Sequence, residues 1–341
     1  MRLLIVTQAV DLDDPVLGFF HGWIQEFAKK YEQVSVICLK EGRHELPSNV
    51  SVYSLGKERG ASRIKYLVNF YRYIWTLRHQ YDGVFVHMNQ EYVLLGWKIW
   101  WILGKRVVLW RNHKKGSIFT RIAALVSHTV CYTSPEAYLA GYGNAIQMPI
   151  GIDTELFKAS AQAPDPRTIL FLGRLDPVKK CEIFIEALEK LRANGVAFHA
   201  DIVGDPTAGN ERYAHDIRNK AGVIALDGAL TMKPGVLHAQ TPALYASHAI
   251  YVNLTPSGSF DKTIGEAMAS GCVMVVSNEA VREVIGDHLM VTSAESAASA
   301  LTSALSLSGD ERVRVSQRNR EYVIDQHSLM LLSNKVATLF L

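Results

Sequence analysis

The chain has little cysteine: Cys38, Cys131, Cys181 and Cys272 are the only four in 341 residues, far apart and without a CxxC pair. That spacing argues against a disulfide framework and a multi-cysteine zinc site, and it fits a reducing compartment. HxxxH and HxH pairs are lacking, so no histidine pattern calls for a metal. There is no GxSxG to present a serine nucleophile. The dinucleotide fingerprint GxGxxG is also missing. Its near-miss, Gly141-Tyr142-Gly143, has no third glycine and no preceding strand, which disfavours hydride transfer. Long apolar runs are absent too. Val93 to Trp110 is the richest stretch, but Lys98, Lys105 and Arg106 interrupt it, whereas a membrane span needs about 20 mostly apolar residues. Leu3 to Val10 is apolar for only eight residues before Asp11 and lacks a cleavage region, so it reads as a buried first strand rather than a signal peptide.

What is present is an ordinary globular composition, 48% hydrophobic and 20% charged, which excludes a disordered or collagen-like chain. The length suits two domains of about 150 residues each. Charge is divided unevenly. Residues 1–150 carry 18 Lys and Arg against 11 Asp and Glu; residues 151–341 carry 18 against 22. The excess concentrates between Lys57 and Arg121, with 13 basic and 3 acidic residues, and all six tryptophans lie in the first half. Such asymmetry points to an anionic partner for that half. Nucleic acid is disfavoured, because the aromatics there look buried and no recognised module is present. An anionic membrane surface is the other candidate. The helix expected over Ser62–Gln80 has Ile64, Leu67, Val68, Tyr71, Ile74 and Trp75 at helical spacing, with Lys65, Arg72 and His79 on another face. Either that apolar stripe packs in the core, or it lies on anionic lipid.

Strand and helix patterns alternate along the chain. Strands are expected at Leu3–Thr7, Val34–Leu39, Val84–His87, Arg106–Trp110, Thr129–Thr133 and Ile146–Ile150, with a helix at Phe19–Tyr31 and another opening at Ser134-Pro135-Glu136. Gly151 to Phe157 and the Ala/Pro/Asp-rich Lys158 to Arg167 form the best linker. The same logic restarts: strands at Thr168–Leu172, Phe198–Val203, Val223–Leu226, Ala249–Leu254 and Val273–Ser277, helices at Glu182–Ala193, Glu211–Lys220 and Ile264–Ser270. This predicts two doubly wound α/β domains, 1–150 and 151–325, with a C-terminal helix in 326–341 packing back toward the first. Ligands of such sheets bind at the carboxyl ends of the strands.

Several residues follow strands directly. Gly173-Arg174-Leu175-Asp176-Pro177-Val178-Lys179 offers a guanidinium fork and an ammonium suited to a diphosphate, unless they are simply solvated. Thr255 to Lys262 (Ser257, Gly258, Ser259, Phe260 and Asp261 among them) leads into the helix that carries Glu266. Small residues there let backbone N–H groups approach an anion, and the helix N-terminus adds positive potential. Glu266 has two readings: a ligand for a ribose diol, or the far member of a Thr263-x-x-Glu266 capping box. His113 and His87 follow strands and could face a cleft or be structural.

Gly151-Ile152-Asp153 with Leu156-Phe157, Gly173-Arg174-Leu175 with Lys179, and Glu266-Ala267-Met268-Ala269-Ser270-Gly271 occur in the order and spacing of the retaining glycosyltransferases of family 4. The resemblance spans nearly the whole chain and implies the GT-B fold, two Rossmann-like domains facing each other across a cleft. By this resemblance, Arg174 and Lys179 bind the donor diphosphate and stabilise its departure, Glu266 holds the ribose, and His113 contacts the donor sugar near the reacting carbon. Gly173, Ser259, Phe260, Asp261 and Lys262 complete the donor site. The implied reaction retains configuration on the front face and needs neither metal nor other cofactor, because fixed cations neutralise the leaving group. The family's Glu-x7-Glu pattern has Gly258 in its first position here, and Asp261 is the candidate to replace that glutamate.

The expected partners are a nucleotide-sugar donor and a glycan or lipid-linked acceptor, with peripheral contact to an anionic membrane and no nucleic acid. The expected setting is the cytoplasm and the inner face of the cell membrane, in synthesis of surface polysaccharide or glycolipid. The competing readings are a nucleotide-sugar epimerase or hydrolase of the same fold, and a non-catalytic protein that binds sugar nucleotide or membrane.

Overall fold

A computed structural model describes every residue except Leu226, Ser259 and the side chain of Val223. The chain divides into two compact units. The first comprises residues 1–151, 237–239 and 329–341; the second comprises 152–236 and 240–328.

In the first unit, β1 (Arg2–Val10), α1 (Phe20–Ala28), β2 (Gln33–Glu41), β3 (Val50–Ser54), α2 (Arg63–Thr76), β4 (Gly83–His87), α3 (Gln90–Ile102), β5 (Arg106–Trp110), α4 (Ile118–Val126), β6 (Thr129–Tyr132) and β7 (Ala145–Gln147) build a parallel sheet in the order β3-β2-β1-β4-β5-β6-β7. β1 is central, pairing Leu3 with Val34 on one side and Ile5 with Phe85 on the other. Its near-continuous apolar run is what a strand covered on both faces requires. Alternate residues serve alternate cores: Leu3 and Ile5 face α1, with Phe20, Trp23 and Phe27, while Leu4 and Val6 face Phe70, Trp100 and Ala123 of α2, α3 and α4.

The second unit contains β8 (Thr168–Leu172), α5 (Cys181–Ala193), β9 (His199–Val203), α6 (Glu211–Ala225), β10 (Leu230–Lys233), α7 (Thr241–Ala246), β11 (Ile250–Asn253), α8 (Lys262–Ala269), β12 (Val273–Val276), α9 (Arg282–Ile285), α10 (Ala294–Leu305) and α11 (Gly309–His327). Its parallel sheet runs β10-β9-β8-β11-β12, so strand order reverses between β8 and β11. The last helix, α12 (Leu329–Thr338), belongs to the first unit, where Leu332, Val336 and Phe340 join the core of α1.

Two expectations are corrected, and the open reading of α2 is narrowed. Val223–Ala225 is helical, not strand, because Ala214, Ile217, Ala221 and Ile224 keep one buried face along α6; Leu226 lies outside the described residues. Ser134-Pro135-Glu136 opens a turn and then a short 3-10 helix, Tyr138–Gly141, rather than an α-helix. α2 starts at its Ser62 cap as expected, but only Phe70 and Ile74 of it are buried. The helix carries a second apolar stripe, Tyr66, Phe70, Tyr73 and Ile74, and that one faces the sheet.

One glycine fixes the loop after β8. A Cβ on Gly204 would lie 1.9 Å from the Gly173 carbonyl oxygen, so that backbone must move to admit any side chain. Gly204→Ala should cost about 1–3 kcal/mol of stability, read by chemical denaturation. It should also displace the Gly173–Leu175 segment, which hydrogen-bonds alongside (Gly173 N to Val203 O 3.0 Å, Leu175 N to Asp205 O 2.9 Å).

Candidate functional site

The strand reversal in the second sheet brings two loops together, one after β8 and one after β11. In the first loop, Asp176 caps the 3-10 turn Pro177–Lys179 by accepting from Val178 N at 3.0 Å. Its other oxygen accepts from Thr207 Oγ1 at 3.2 Å and Asn210 Nδ2 at 3.1 Å. The turn directs Lys179 back over Gly173: a Cβ there would stand 3.5 Å from Lys179 Cε. Arg174, between them, is exposed and forms no ion pair with any described residue.

In the second loop, Asp261 is the N-cap of α8, accepting from Thr263 N at 3.3 Å. Lys179 reaches across and donates to Asp261 Oδ2. The same oxygen accepts from Asn253 Nδ2 at 3.1 Å and Thr255 Oγ1 at 3.2 Å, and Oδ1 accepts from Thr263 Oγ1 at 3.0 Å. Burial pushes the Asp261 pKa up, but the charge of Lys179 and the hydrogen bonds from Lys179, Asn253 and Thr263 outweigh it and hold the carboxyl well below the usual range. The network continues through Asn253 Nδ2 to Thr263 Oγ1 at 3.0 Å, and Tyr251 OH donates to Leu172 O at 3.2 Å at the end of β8.

Glu266 lies one turn into α8 and is buried. Because Asp261 is the cap, Thr263 does not open a capping box, and the reading of Glu266 as a capping residue is overturned. Its carboxylate accepts from the buried Tyr245 hydroxyl at 3.1 Å. Lys262 is half-buried in the first turn of the same helix. Burial pulls its ammonium down to about 7, against the opposing charge of Glu266. Phe260 is buried, its ring edge-on to His327 at 4.8 Å. Ser259 lies outside the described residues. Gly258 has φ +137°, a conformation that L side chains rarely adopt. A glutamate in its place would be strained.

Gly173, Arg174, Lys179, Phe260, Asp261, Lys262 and Glu266 therefore share one end of the second sheet. His113 is in the first unit, exposed after β5, where Lys115 N donates to its Nδ1 at 3.0 Å. His87 is buried, stacked on Phe20 at 3.9 Å with Thr7 Oγ1 3.2 Å from its Nδ1. Tyr245, Tyr251 and Asn253 escaped the sequence reading, which names Asp176 in its segment without a role. Asn253, a polar residue closing a buried apolar strand, left a signal there, as did Asp176 ahead of Pro177. Among the described residues no group of three or more His, Cys, Asp or Glu side chains is arranged to hold a metal ion.

The Lys179–Asp261 pair is testable by itself. A carboxyl whose pKa is depressed on folding contributes stability that is present above its unfolded value, about 3.9, and is lost as pH falls through the folded one. Asp261→Asn should therefore destabilise the protein at neutral pH by about 2–4 kcal/mol, leaving Lys179 without its charged partner. It should also flatten the acid limb of the stability profile below about pH 4, as measured by denaturant melts across pH.

Residues 166–307 match the model of the glycosyl transferases group 1 family. A GDP-mannose:cellobiosyl-diphosphopolyprenol alpha-mannosyltransferase of Komagataeibacter xylinus is 25% identical over 136 residues, which is 40% of this chain and 34% of that protein, so the chain aligns with about a third of its relative's length. HepE of Anabaena, solved with UDP and glucose, superposes with a TM-score of 0.76 at 17% identity, covering 99% of this chain and 98% of that one. Sucrose-phosphate synthase of Thermosynechococcus elongatus superposes equally, 0.76 at 15% identity, covering 100% and 98%. The fold is thus the α/β GT-B fold of these proteins, and the stretch from β8 to α10, which holds every second-unit residue of the site, lies within the region that matches the glycosyl transferases group 1 model.

Proposed function

We propose that the chain is a retaining glycosyltransferase that moves a sugar from a nucleotide-sugar donor to a glycan or lipid-linked acceptor, in synthesis of surface polysaccharide or glycolipid. The observation that carries this reading is the Lys179–Asp261 pair at the strand reversal, which fastens two loops bearing Arg174 and Lys262 beside a buried glutamate. Parallel α/β sheets bind nucleotides at such reversals. The mannosyltransferase relative acts, by its name, on a diphosphopolyprenol, which favours a lipid-linked acceptor. Work at a lipid-linked acceptor implies a cytoplasmic protein in peripheral contact with the inner face of an anionic membrane.

In this mechanism Arg174 forks onto the donor diphosphate. Lys179 commits one of its three N–H donors to Asp261 and offers the others to the phosphates. Asp261 is then a positioning residue, its acceptor capacity spent within the protein, and the sugar-orienting role at Gly258 is not filled by it. Glu266, oriented by Tyr245, accepts from the ribose hydroxyls. The backbone at Gly173 and Phe260 approaches the phosphates and sugar, and His113 is the first unit's candidate contact for the donor sugar. The bond from the anomeric carbon to the leaving phosphate oxygen breaks while the acceptor oxygen bonds the same face. The leaving phosphate takes the acceptor's proton. The developing charge falls on fixed cations, so the scheme uses no metal or other cofactor.

Removing a preorganised cation should raise the barrier by about 2–4 kcal/mol, roughly 30- to 1000-fold in turnover. Arg174→Ala and Lys179→Ala should each fall in that range, and Glu266→Gln should weaken nucleoside diphosphate binding in calorimetry while leaving melting little changed. Near-normal turnover in both cation variants, with the fold intact, removes the diphosphate assignment. Product analysis without acceptor separates transfer from epimerisation or hydrolysis, and binding without turnover across a donor and acceptor panel would favour a non-catalytic protein.

Lys262 adds a pH signature. Its ammonium is charged below about 7 and neutral above. Nucleoside diphosphate affinity of the wild-type chain, divided by that of Lys262→Arg, should decline as pH rises from 6 to 8. A flat ratio would remove Lys262 from the phosphate site.

A further inference from the structure

The helices α2, α3 and α4 cover one face of the first sheet through a shared core, with Phe70 of α2 against Tyr92 and Trp100 of α3, and Ala123 of α4 in the same cluster. Their outward sides are apolar. On α2, Ile64 is 74% exposed and Trp75 53%; on α3, Trp101 is 72% exposed; on α4, Phe119 is 61% and Leu125 68% exposed. Side chains of this size normally contribute to the core, and their exposure together on three helices of one layer points to an interaction surface. The charges among them have one sign: Lys65, Arg72, Lys98 and Arg121 are exposed on the same helices. Acidic residues are absent from α2 and α4, and α3 has only Glu91, in its first turn.

We propose that this outward face of α2, α3 and α4 docks on an anionic lipid bilayer. Tryptophan and phenylalanine enter the headgroup boundary while the cations meet the anionic headgroups. A second copy of the chain is disfavoured as the occupant, because a two-fold contact would set the same basic residues against each other. Insertion of a few exposed side chains at the headgroup boundary, helped by surface charge, makes the attachment interfacial and reversible; no helix among the described residues is long and apolar enough to cross a membrane. The proposal deepens the membrane part of the reading above and does not depend on the transfer chemistry.

The test is co-sedimentation of the full chain with phosphatidylcholine vesicles, with and without phosphatidylglycerol, at low and high salt. Binding should need phosphatidylglycerol and should fall with salt, which screens exposed charges beyond about 8 Å at physiological strength. The double variant Lys65→Glu/Arg72→Glu should bind at least about tenfold more weakly. Trp75→Ser/Trp101→Ser should weaken binding at both salt concentrations. All four positions are exposed, and melting curves check that the variants fold. Nucleotide affinity in the same preparations should be unchanged; if it is absent while vesicles still bind, the donor-site reading fails and the docking stands. Equal, negligible binding to both vesicle types at low salt overturns the proposal, as does a dimer, in ultracentrifugation, that the tryptophan substitutions dissolve.

Discussion

The ion pair between Lys179 and Asp261 joins the loops that follow β8 and β11, and the organisation of the second unit's strand ends depends on it. The strands β8 and β11 pair directly and Tyr251 OH donates to Leu172 O, and the ion pair carries that link beyond the strand ends into the loops. A mostly buried ion pair is stable only when desolvation is repaid by geometry and by further hydrogen bonds. Here Asn253, Thr255 and Thr263 supply them, so the carboxylate stays ionised and Lys179 stays pointed at the strand ends. The same carboxylate caps α8, so the pair ties the start of the helix that carries Lys262 and Glu266 to Lys179.

Much of this was legible in the sequence, for identifiable reasons. Buried parallel strands are continuous apolar runs that end at polar loop residues, so Thr168–Leu172 and Arg106–Trp110 could be read to the residue. The loop bearing Arg174 follows the first of these ends, and the segment leading to Lys262 follows β11, expected over Ala249–Leu254 and found at Ile250–Asn253. What could not be read was which of two nearby polar residues caps a helix: Asp261 and Thr263 both have the chemistry, and Asp261, which also pairs with Lys179 from the other loop, is the cap. Tyr245 reaches Glu266 through tertiary packing and has no local signal. Short β-branched runs are ambiguous between strand and helix; Val223 to Ala225 became helix because Ile224 completes a buried face of α6.

Periodicity also left one question open that geometry answered. α2 has apolar residues on two sides, and spacing alone cannot say which side the sheet takes. The side with Phe70 and Ile74 fits against Tyr92 and Trp100, while the side with Ile64 and Val68 stays in solvent. The tryptophans divide in the same way: Trp23, Trp100 and Trp110 fill the core, and Trp75 and Trp101 stand outside it. A cluster of aromatics in the sequence thus holds two populations with different work.

The charge division bears on both functions. Residues 151–341 are net acidic, yet they carry the cations assigned to an anionic leaving group. The two facts are compatible because charge acts locally: screening limits a surface charge to about a Debye length, while a partly buried cation is screened far less. Lys179 and Lys262 are partly buried and Arg174 is exposed, so cations stand at the strand ends without the whole segment being basic. Residues 1–150 use charge in the opposite way, spread over exposed helices where each cation acts weakly and the sum matters. Net acidity in the second half then has a physical consequence: an anionic surface that attracts the first unit repels the bulk of the second, so attraction to that surface selects the face of α2, α3 and α4 over the donor-binding loops.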